Sequence, residues 1–425
     1  MAPIKKFIRK IFPRKLAEGL ADTFRLGRGW FWRAYYGFPA RSLQVIAVTG
    51  TNGKTTTVSF INEVLKSAGF KTAVWTTAYT ETAGDHIPSP TTVTLQHQSA
   101  LQKFLALAKK KNVDWVVLEV PSHALDQRRI EGVRVEVAVV TNLTPEHLDY
   151  HGTMEEYARV KSLLLRDYDA KWAVLNADDK YFDYFSKRSK AEVFSFGKKT
   201  GASGVMKSIN LSGAGSNEHF AAESGTLDVK TSLLGEFNLY NASAAVSVGL
   251  VLGLDSKKIT EGIANLKAVA GRMEAVDAGQ NFTVLIDYAV TPDALENVLK
   301  TLQQIAKGSV RIVFGATGDR DKAKRPLMGE VVVKSADFIY LTDDETYTED
   351  PSAIRDAVYT GIEKAGGASK TKVIADRKQA IKTAFAESRQ GDIVLLAGMG
   401  HEDHRNLGGK QVPWKESEIA RELLS

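Results

Sequence analysis

The sequence predicts an α/β protein. A central domain is built on a mostly parallel sheet, a Rossmann-like α/β domain follows at the C-terminal end, and a short basic segment precedes both. Three observations carry this. From residue 45 onward, short apolar strand-like runs alternate with amphipathic helical stretches, the pattern of parallel sheets covered on both faces. One of those strands, Val45–Val48, runs directly into a glycine-bearing loop and then a helix over Val58–Ala68. Excess positive charge is confined to residues 1–44, which hold ten lysines and arginines against Glu18 and Asp22. That segment is +8 in a chain of net +6, so the remainder is −2.

With 425 residues, 44% of them hydrophobic, the chain can bury two or three cores. Cysteine is absent, which excludes disulfides, thiolate zinc sites and cysteine nucleophiles and fits a reducing cytoplasm. No run of about 18 or more apolar residues marks a membrane span. The N-terminus lacks the pattern of a secretory signal. A nearly neutral body gives no reason to expect nucleic-acid binding.

The domains are expected at 1–44, 45–270 and 271–425. In the first, Phe7, Ile8, Ile11, Phe12, Leu16 and Leu20 fall at roughly helical spacing, and Trp30, Phe31, Trp32, Tyr35, Tyr36 and Phe38 follow. The central domain is expected to hold a strand at Trp115–Val120, a helix near Met154–Tyr168 and a strand at Ala173–Leu175. A Gly/Ser-rich stretch from Gly201 to Gly225 reads as a surface excursion or hairpin region. In the last domain the strands are expected at Thr283–Asp287, Arg311–Phe314, Phe338–Leu341 and Ile393–Leu396.

The run Val45-Ile-Ala-Val-Thr-Gly-Thr-Asn-Gly-Lys-Thr-Thr-Thr57 holds the strongest chemistry. Gly50 and Gly53 permit positive φ and close backbone approach. A helix N-terminus favours an anion, Lys54 would reach outer phosphates and the Thr55 hydroxyl would sit on Mg²⁺. The strict G-x-x-x-x-G-K-S/T pattern is not met, because Val48 stands at its first glycine. The alternative is an ordinary strand–turn–helix with a chance Gly-Lys-Thr. The loop Gly50-Thr-Asn-Gly-Lys-Thr-Thr-Thr57 resembles that of the Mur ligases, which build the peptide stem of peptidoglycan. Folylpolyglutamate and cyanophycin synthetases share a related loop. The resemblance assigns Gly50, Thr51, Asn52, Gly53, Lys54, Thr55 and Thr56 to ATP.

Glu119 closes an apolar strand, either as a Mg²⁺ ligand beside the phosphate loop or as a solvated strand end. Three of the eight histidines lie between 123 and 151. The runs Glu119-Val-Pro-Ser-His-Ala-Leu-Asp126 and Thr141-Asn-Leu-Thr-Pro-Glu-His-Leu-Asp-Tyr-His-Gly-Thr153, with Lys161 downstream, resemble the branch of Mur ligases that adds the third stem residue. The resemblance implies that Glu119, His147 and Thr55 bind Mg²⁺ and that Lys161 is carbamylated and supports a second metal or the γ-phosphate. It implies that Thr91, Thr92, Ser122 and His123 face the acyl substrate. Pro121 replaces a serine of the family pattern, and Glu146 replaces an aspartate.

Further runs extend the likeness. Leu234–Ala245 contains Asn238 and Asn241 on one face of a helix start, a cap plus a solvated amide on their own and adenine neighbours by resemblance. Gly271-Arg-Met-Glu274 would bring Arg272 to the ATP phosphates, and Ile286–Leu295 would bring Asp287 to the ribose. Phe314–Pro326 carries Arg320 in a glycine turn that alone would read as a plain loop. Asp344, Glu345 and Glu402 are expected at the incoming amine. The departures are Val290 for a histidine, Met399 for a lysine, and Asp343–Pro351, which lacks the arginine that would hold the distal carboxylate of diaminopimelate. Lysine, ornithine or another amine stays open.

The expected activity is ATP-dependent amide-bond formation through an acyl phosphate, by a cytoplasmic monomer that requires ATP and Mg²⁺. Its partners are a muramoyl-peptide-like acyl substrate and an amino acid. The alternatives are a folylpolyglutamate-type ligase and a non-catalytic nucleotide-binding scaffold. The family's UDP-binding domain finds no counterpart ahead of residue 45. Residues 1–38 read either as a basic aromatic segment for the inner face of an anionic membrane or as an arm packed on the core.

Overall fold

The computed structural model describes residues 14–88 and 94–425, with side chains from Asp22 onward. The helical spacing of Phe7 to Phe12 therefore lies outside the described residues, as do Thr91 and Thr92. The basic arm enters as a helix, Arg14–Tyr35.

Eleven strands form the first sheet. They are β1 (Gln44–Thr49), β2 (Thr72–Trp75), β3 (Tyr79–Thr82), β4 (Asp85–Pro88), β5 (Trp115–Glu119), β6 (Val137–Val140), β7 (Trp172–Asn176), β8 (Glu192–Gly197), β9 (Gly204–Ser212), β10 (Gly215–Ala222) and β11 (Gly225–Thr231). Their order is β11-β10-β9-β8-β7-β6-β1-β5-β2-β3-β4. The seven strands from β9 to β2 run parallel, and antiparallel strands extend both edges. The Gly/Ser-rich stretch thus builds hairpins at one edge.

β1 is central and buried along all but its first residue. Val45 and Ala47 enter one core, and Ile46 and Val48 enter the other, across the sheet. That is why the strand reads as a continuous apolar run rather than an alternation. The helix after it spans Lys54–Ser67, four residues earlier than the apolar pattern suggests. Three β-branched threonines hide the start, and Gly53, at φ 83°, lets the chain turn into the helix.

The second sheet holds β12 (Glu274–Val276), β13 (Thr283–Asp287), β14 (Val310–Phe314), β15 (Phe338–Leu341), β16 (Thr371–Val373) and β17 (Ile393–Ala397), in the order β12-β13-β17-β14-β15-β16. All neighbours are parallel except β12 and β13. A hairpin of β18 (His404–Leu407) and β19 (Lys410–Pro413) follows. Among the described residues, no helix is long and apolar enough to cross a membrane.

One buried acid has a consequence for stability. Glu218 on β10 is 2% exposed, accepts a hydrogen bond from the Ser243 hydroxyl, and leaves Oε2 without a partner among the described residues. Burial pushes its pKa up to about 8 from an ordinary 4.5. The folded chain therefore holds a proton that the unfolded chain releases, so stability falls as pH rises from about 4.5 through about 8. Glu218→Gln is expected to remove that component and to stabilise the fold at pH 9 by on the order of 2–4 kcal/mol, with little effect at pH 5. Thermal unfolding of parent and variant at both pH values checks this; parallel pH profiles would contradict it.

Candidate active site

The loop between β1 and the Lys54–Ser67 helix is shaped by contacts its own residues cannot supply. Gly50 has φ 147° and Gly53 φ 83°. A Cβ at Gly50 would lie 1.9 Å from Thr141 Oγ1, and one at Gly53 would lie 2.1 Å from Asn241 Oδ1. The segment after β6 holds the loop: Asn52 N donates to Asn142 Oδ1 (2.9 Å), and the Asn52 carbonyl accepts from Thr141 Oγ1 (2.7 Å) and Asn142 Nδ2 (3.1 Å). Lys54 Nζ folds back onto the Thr51 carbonyl at 2.6 Å.

Glu119 stands at the C-terminal end of β5, in register with Val48. Its Oε2 accepts from Thr55 Oγ1 (2.8 Å) and Thr77 N (3.0 Å), and its Oε1 accepts from Thr77 Oγ1 (2.9 Å). Carboxylate and hydroxyl oxygens already in contact at the mouth of a phosphate loop are the hard donors that suit Mg²⁺. His147, at φ 56° and ψ 28°, is a non-glycine residue held in the left-handed region. Its ring meets His123 at 4.8 Å edge to face, and His123 lies 5.7 Å from His151. Burial and the neighbouring imidazoles push His123 down to about 3, and burial lowers His147 as well, so the cluster is uncharged near neutrality. A neutral imidazole is the metal-binding form.

Lys161 lies one layer below, on the helix Met154–Arg166. It is 1% exposed, donates to the Gly50 carbonyl at 2.6 Å and sits 4.6 Å over the Tyr157 ring. Burial first, then the charge of Lys54, push its pKa well below an ordinary lysine's 10.5. That favours the free, nucleophilic amine.

A cavity of about 730 Å³ opens where the C-terminal ends of the two sheets face each other. From the first sheet it is lined by Thr51 to Thr56, Glu119, His123, His147 and Asn241, and from the second by Arg272, Asp287, Arg320, Glu345 and Glu402. The cavity wall does not include Gly50, Ser122, Lys161, Asn238 or Asp344. Ser122, expected to face the acyl substrate, is instead buried against His151 Nε2 at 2.9 Å. Asn238 donates to the Leu234 carbonyl (2.8 Å) and accepts from Asn241 (3.1 Å), so it orients Asn241. Asp344 lies buried beneath Gly398, where a Cβ would come within 2.5 Å of its carboxylate.

Several lining residues had not been singled out. Asp293 accepts from Asn52 Nδ2 at 2.7 Å, tying the phosphate loop to the second sheet's first helix. Lys324 donates to the Val290 carbonyl at 2.9 Å, and the charge on Glu146 partly offsets the downward pull of burial on its pKa. Tyr288 donates to Glu402 Oε1 at 3.0 Å and carries Arg272 over its ring at 4.7 Å. Lys324 stands inside the run Phe314–Pro326, yet no spacing rule links it to Glu146.

A phosphate loop on one parallel sheet, facing the ligand-binding edge of a second, defines a two-domain nucleotide-dependent ligase. Residues 48–249 match the profile of the Mur ligase middle domain, and residues 271–400 match that of the Mur ligase glutamate ligase domain. The chain belongs to the Mur ligase family. It is an ATP-dependent, ADP-forming amide ligase. It is 40% identical over 394 residues to the UDP-N-acetylmuramoyl-L-alanyl-D-glutamate--2,6-diaminopimelate ligase of Bacillus velezensis, covering 91% of this chain and 79% of that one. It is 39% identical over 413 residues to the enzyme of the same name from Aquifex aeolicus, covering 95% and 82%. A solved structure of such a ligase superposes with a TM-score of 0.65 at 32% identity, over 95% of this chain and 82% of that one. The Mycobacterium tuberculosis folylpolyglutamate synthase complexed with ADP and AMPPCP shares the fold, with a TM-score of 0.70 at 20% identity over 88% and 92%.

Proposed function

We propose that this ligase couples an amino acid to the terminal carboxylate of a muramoyl peptide in peptidoglycan precursor synthesis. The observation that carries the reading is the convergence of Lys54, Thr55, Glu119 and His147 on one cavity, with Lys161 directly beneath its loop. The substrate carboxylate attacks the γ-phosphorus of ATP, and ADP leaves. The amine then attacks the acyl carbon, phosphate leaves, and the amine gives up its proton. Two anions must meet in the first step, so charge neutralisation dominates the barrier.

Within that reading, Lys54 and Arg272 hold the transferring phosphate from opposite domains. Thr55, Glu119 and His147 would hold Mg²⁺, which supplies the positive charge that lets a carboxylate approach a phosphate. Lys161, as a carbamate, would add an anion for a second metal or for positioning the γ-phosphate. Asn241, oriented by Asn238, lies toward adenine, and Asp287 toward ribose. The domain division at 45–270 and 271–425 belongs to the same proposal, as does closure of one domain on the other to complete the site.

The relatives' names specify diaminopimelate as the amine. Here the run Asp343–Pro351 carries no arginine, while Glu345 and Glu402 line the wall. Burial raises both carboxyls; the neighbouring Asp344 adds to the rise of Glu345, and Glu345 adds to that of Glu402, which reaches about 8. Such a wall suits the second ammonium of lysine or ornithine better than a carboxylate. ATP-dependent phosphate release with UDP-N-acetylmuramoyl-L-alanyl-D-glutamate is expected to be faster with lysine or ornithine than with diaminopimelate, by about tenfold or more in kcat/KM. A preference for diaminopimelate would overturn the amine assignment, and release with none of the three would overturn the acyl assignment. We further read the basic arm as the part that brings this reaction to the inner face of a membrane.

A further inference from the structure

We propose that the helix Arg14–Tyr35 is a surface anchor that lays an aromatic face onto an anionic bilayer while its polar face grips the enzyme. The inference deepens the membrane placement above and is independent of the ligase chemistry. The helix is amphipathic in the reverse of the usual sense. A helix on a globular body turns its apolar stripe inward. Here, among the described residues, the inward side sets Gly29 among Arg25, Arg28 and Arg33, with Trp32 and Tyr36 half-buried beside them. Gly29 is buried so tightly that a Cβ would come 2.8 Å from Gln98 Nε2. Gln98 donates to the Arg25 carbonyl (3.1 Å) and accepts from Arg28 Nε (3.1 Å), and Arg25 reaches the Asp126 carbonyl at 3.4 Å.

The outward side holds Phe24, Trp30, Phe31 and Tyr35, which are 63%, 60%, 54% and 69% exposed. Phe24, Phe31 and Tyr35 stand seven and four residues apart, on one stripe of the helix. Phe31 and Tyr35 stack with ring centroids 6.3 Å apart. Four large aromatics in water on one element mark a surface built for a partner. Charge complementarity selects the partner. Residues 1–44 are +8 whereas the rest of the chain is −2, so an anionic surface attracts this end alone. Tryptophan and tyrosine are the side chains that favour the headgroup boundary. As the helix is not apolar enough to cross a bilayer, it lies on the surface.

The test uses the full chain with Phe24, Phe31 and Tyr35 each replaced by glutamine, a good helix former that keeps the exposed positions polar. Co-sedimentation is measured with vesicles of phosphatidylglycerol and phosphatidylethanolamine and with vesicles of phosphatidylcholine. The parent is expected to bind the anionic vesicles and not the neutral ones, and the triple variant to bind them at least about tenfold more weakly. Binding of an ATP analogue should be the same in both proteins, since these residues lie outside the cavity. Equal sedimentation of variant and parent would overturn the proposal, as would no parent binding to anionic vesicles. A parent that self-associates in ultracentrifugation through these residues without binding vesicles would assign the face to a second copy and would overturn it equally.

Discussion

Replacing Lys161 with alanine is expected to lower kcat by on the order of 10³-fold, the scale of losing one electrostatic element at a reacting phosphate. ATP-analogue binding should stay within a few-fold. The reason lies in where the amine sits. It is buried, hydrogen-bonded to the Gly50 carbonyl and pushed toward its uncharged form by burial and by Lys54. A neutral amine can add to carbon dioxide and release a proton to solvent, and the resulting carbamate is an anion beside the phosphate loop. If that anion is the working species, a small carboxylate such as formate should restore part of the alanine variant's rate by occupying the vacated space. Lys161→Met, similar in length, should be inactive and should not be rescued. Phosphate release with and without formate decides the matter. An alanine variant at the parent rate would remove the carbamate from the reaction, and loss of analogue binding would assign Lys161 to holding the loop instead.

Glu119→Gln is expected to cost several kcal/mol of transition-state stabilisation, on the order of 10²- to 10³-fold in kcat, and to raise the Mg²⁺ concentration needed for half-maximal rate. The amide keeps an oxygen that can accept from Thr55 Oγ1 or Thr77 N, so the fold loses little. What disappears is the negative charge facing the cation site. A Mg²⁺ titration of phosphate release separates the two effects. An unchanged Mg²⁺ dependence with a reduced rate would remove Glu119 from the metal.

Much of the fold was legible because its signals are local. The apolar run of β1 and the glycines at 50 and 53 constrain only their neighbours' backbone, and the phosphate loop stands where they place it. Helix starts were harder to read. Thr55 to Thr57 are poor helix formers, so the apolar pattern begins four residues after the helix does. The placement of Ser122 was not legible for a different reason. Its neighbour His123 faces the cavity, but one residue along the short helix turns Ser122 into the core against His151. Sequence adjacency does not preserve direction on a helix.

The sequence by itself determined the alternation of strand and helix, the anion-binding loop and the presence of a carboxylate at the end of β5. These follow from backbone sterics, hydrophobic periodicity and the ends of strands, all of which act over a few residues. Only the tertiary structure decided that Lys161 lies beneath Gly50, that Asp293 holds Asn52 across the two sheets, and that the first described helix turns Arg25 and Arg28 inward and Phe24, Trp30, Phe31 and Tyr35 out. Desolvation and charge pairing act through space between groups far apart in the chain, and they set which amine loses its proton and which face stays in water.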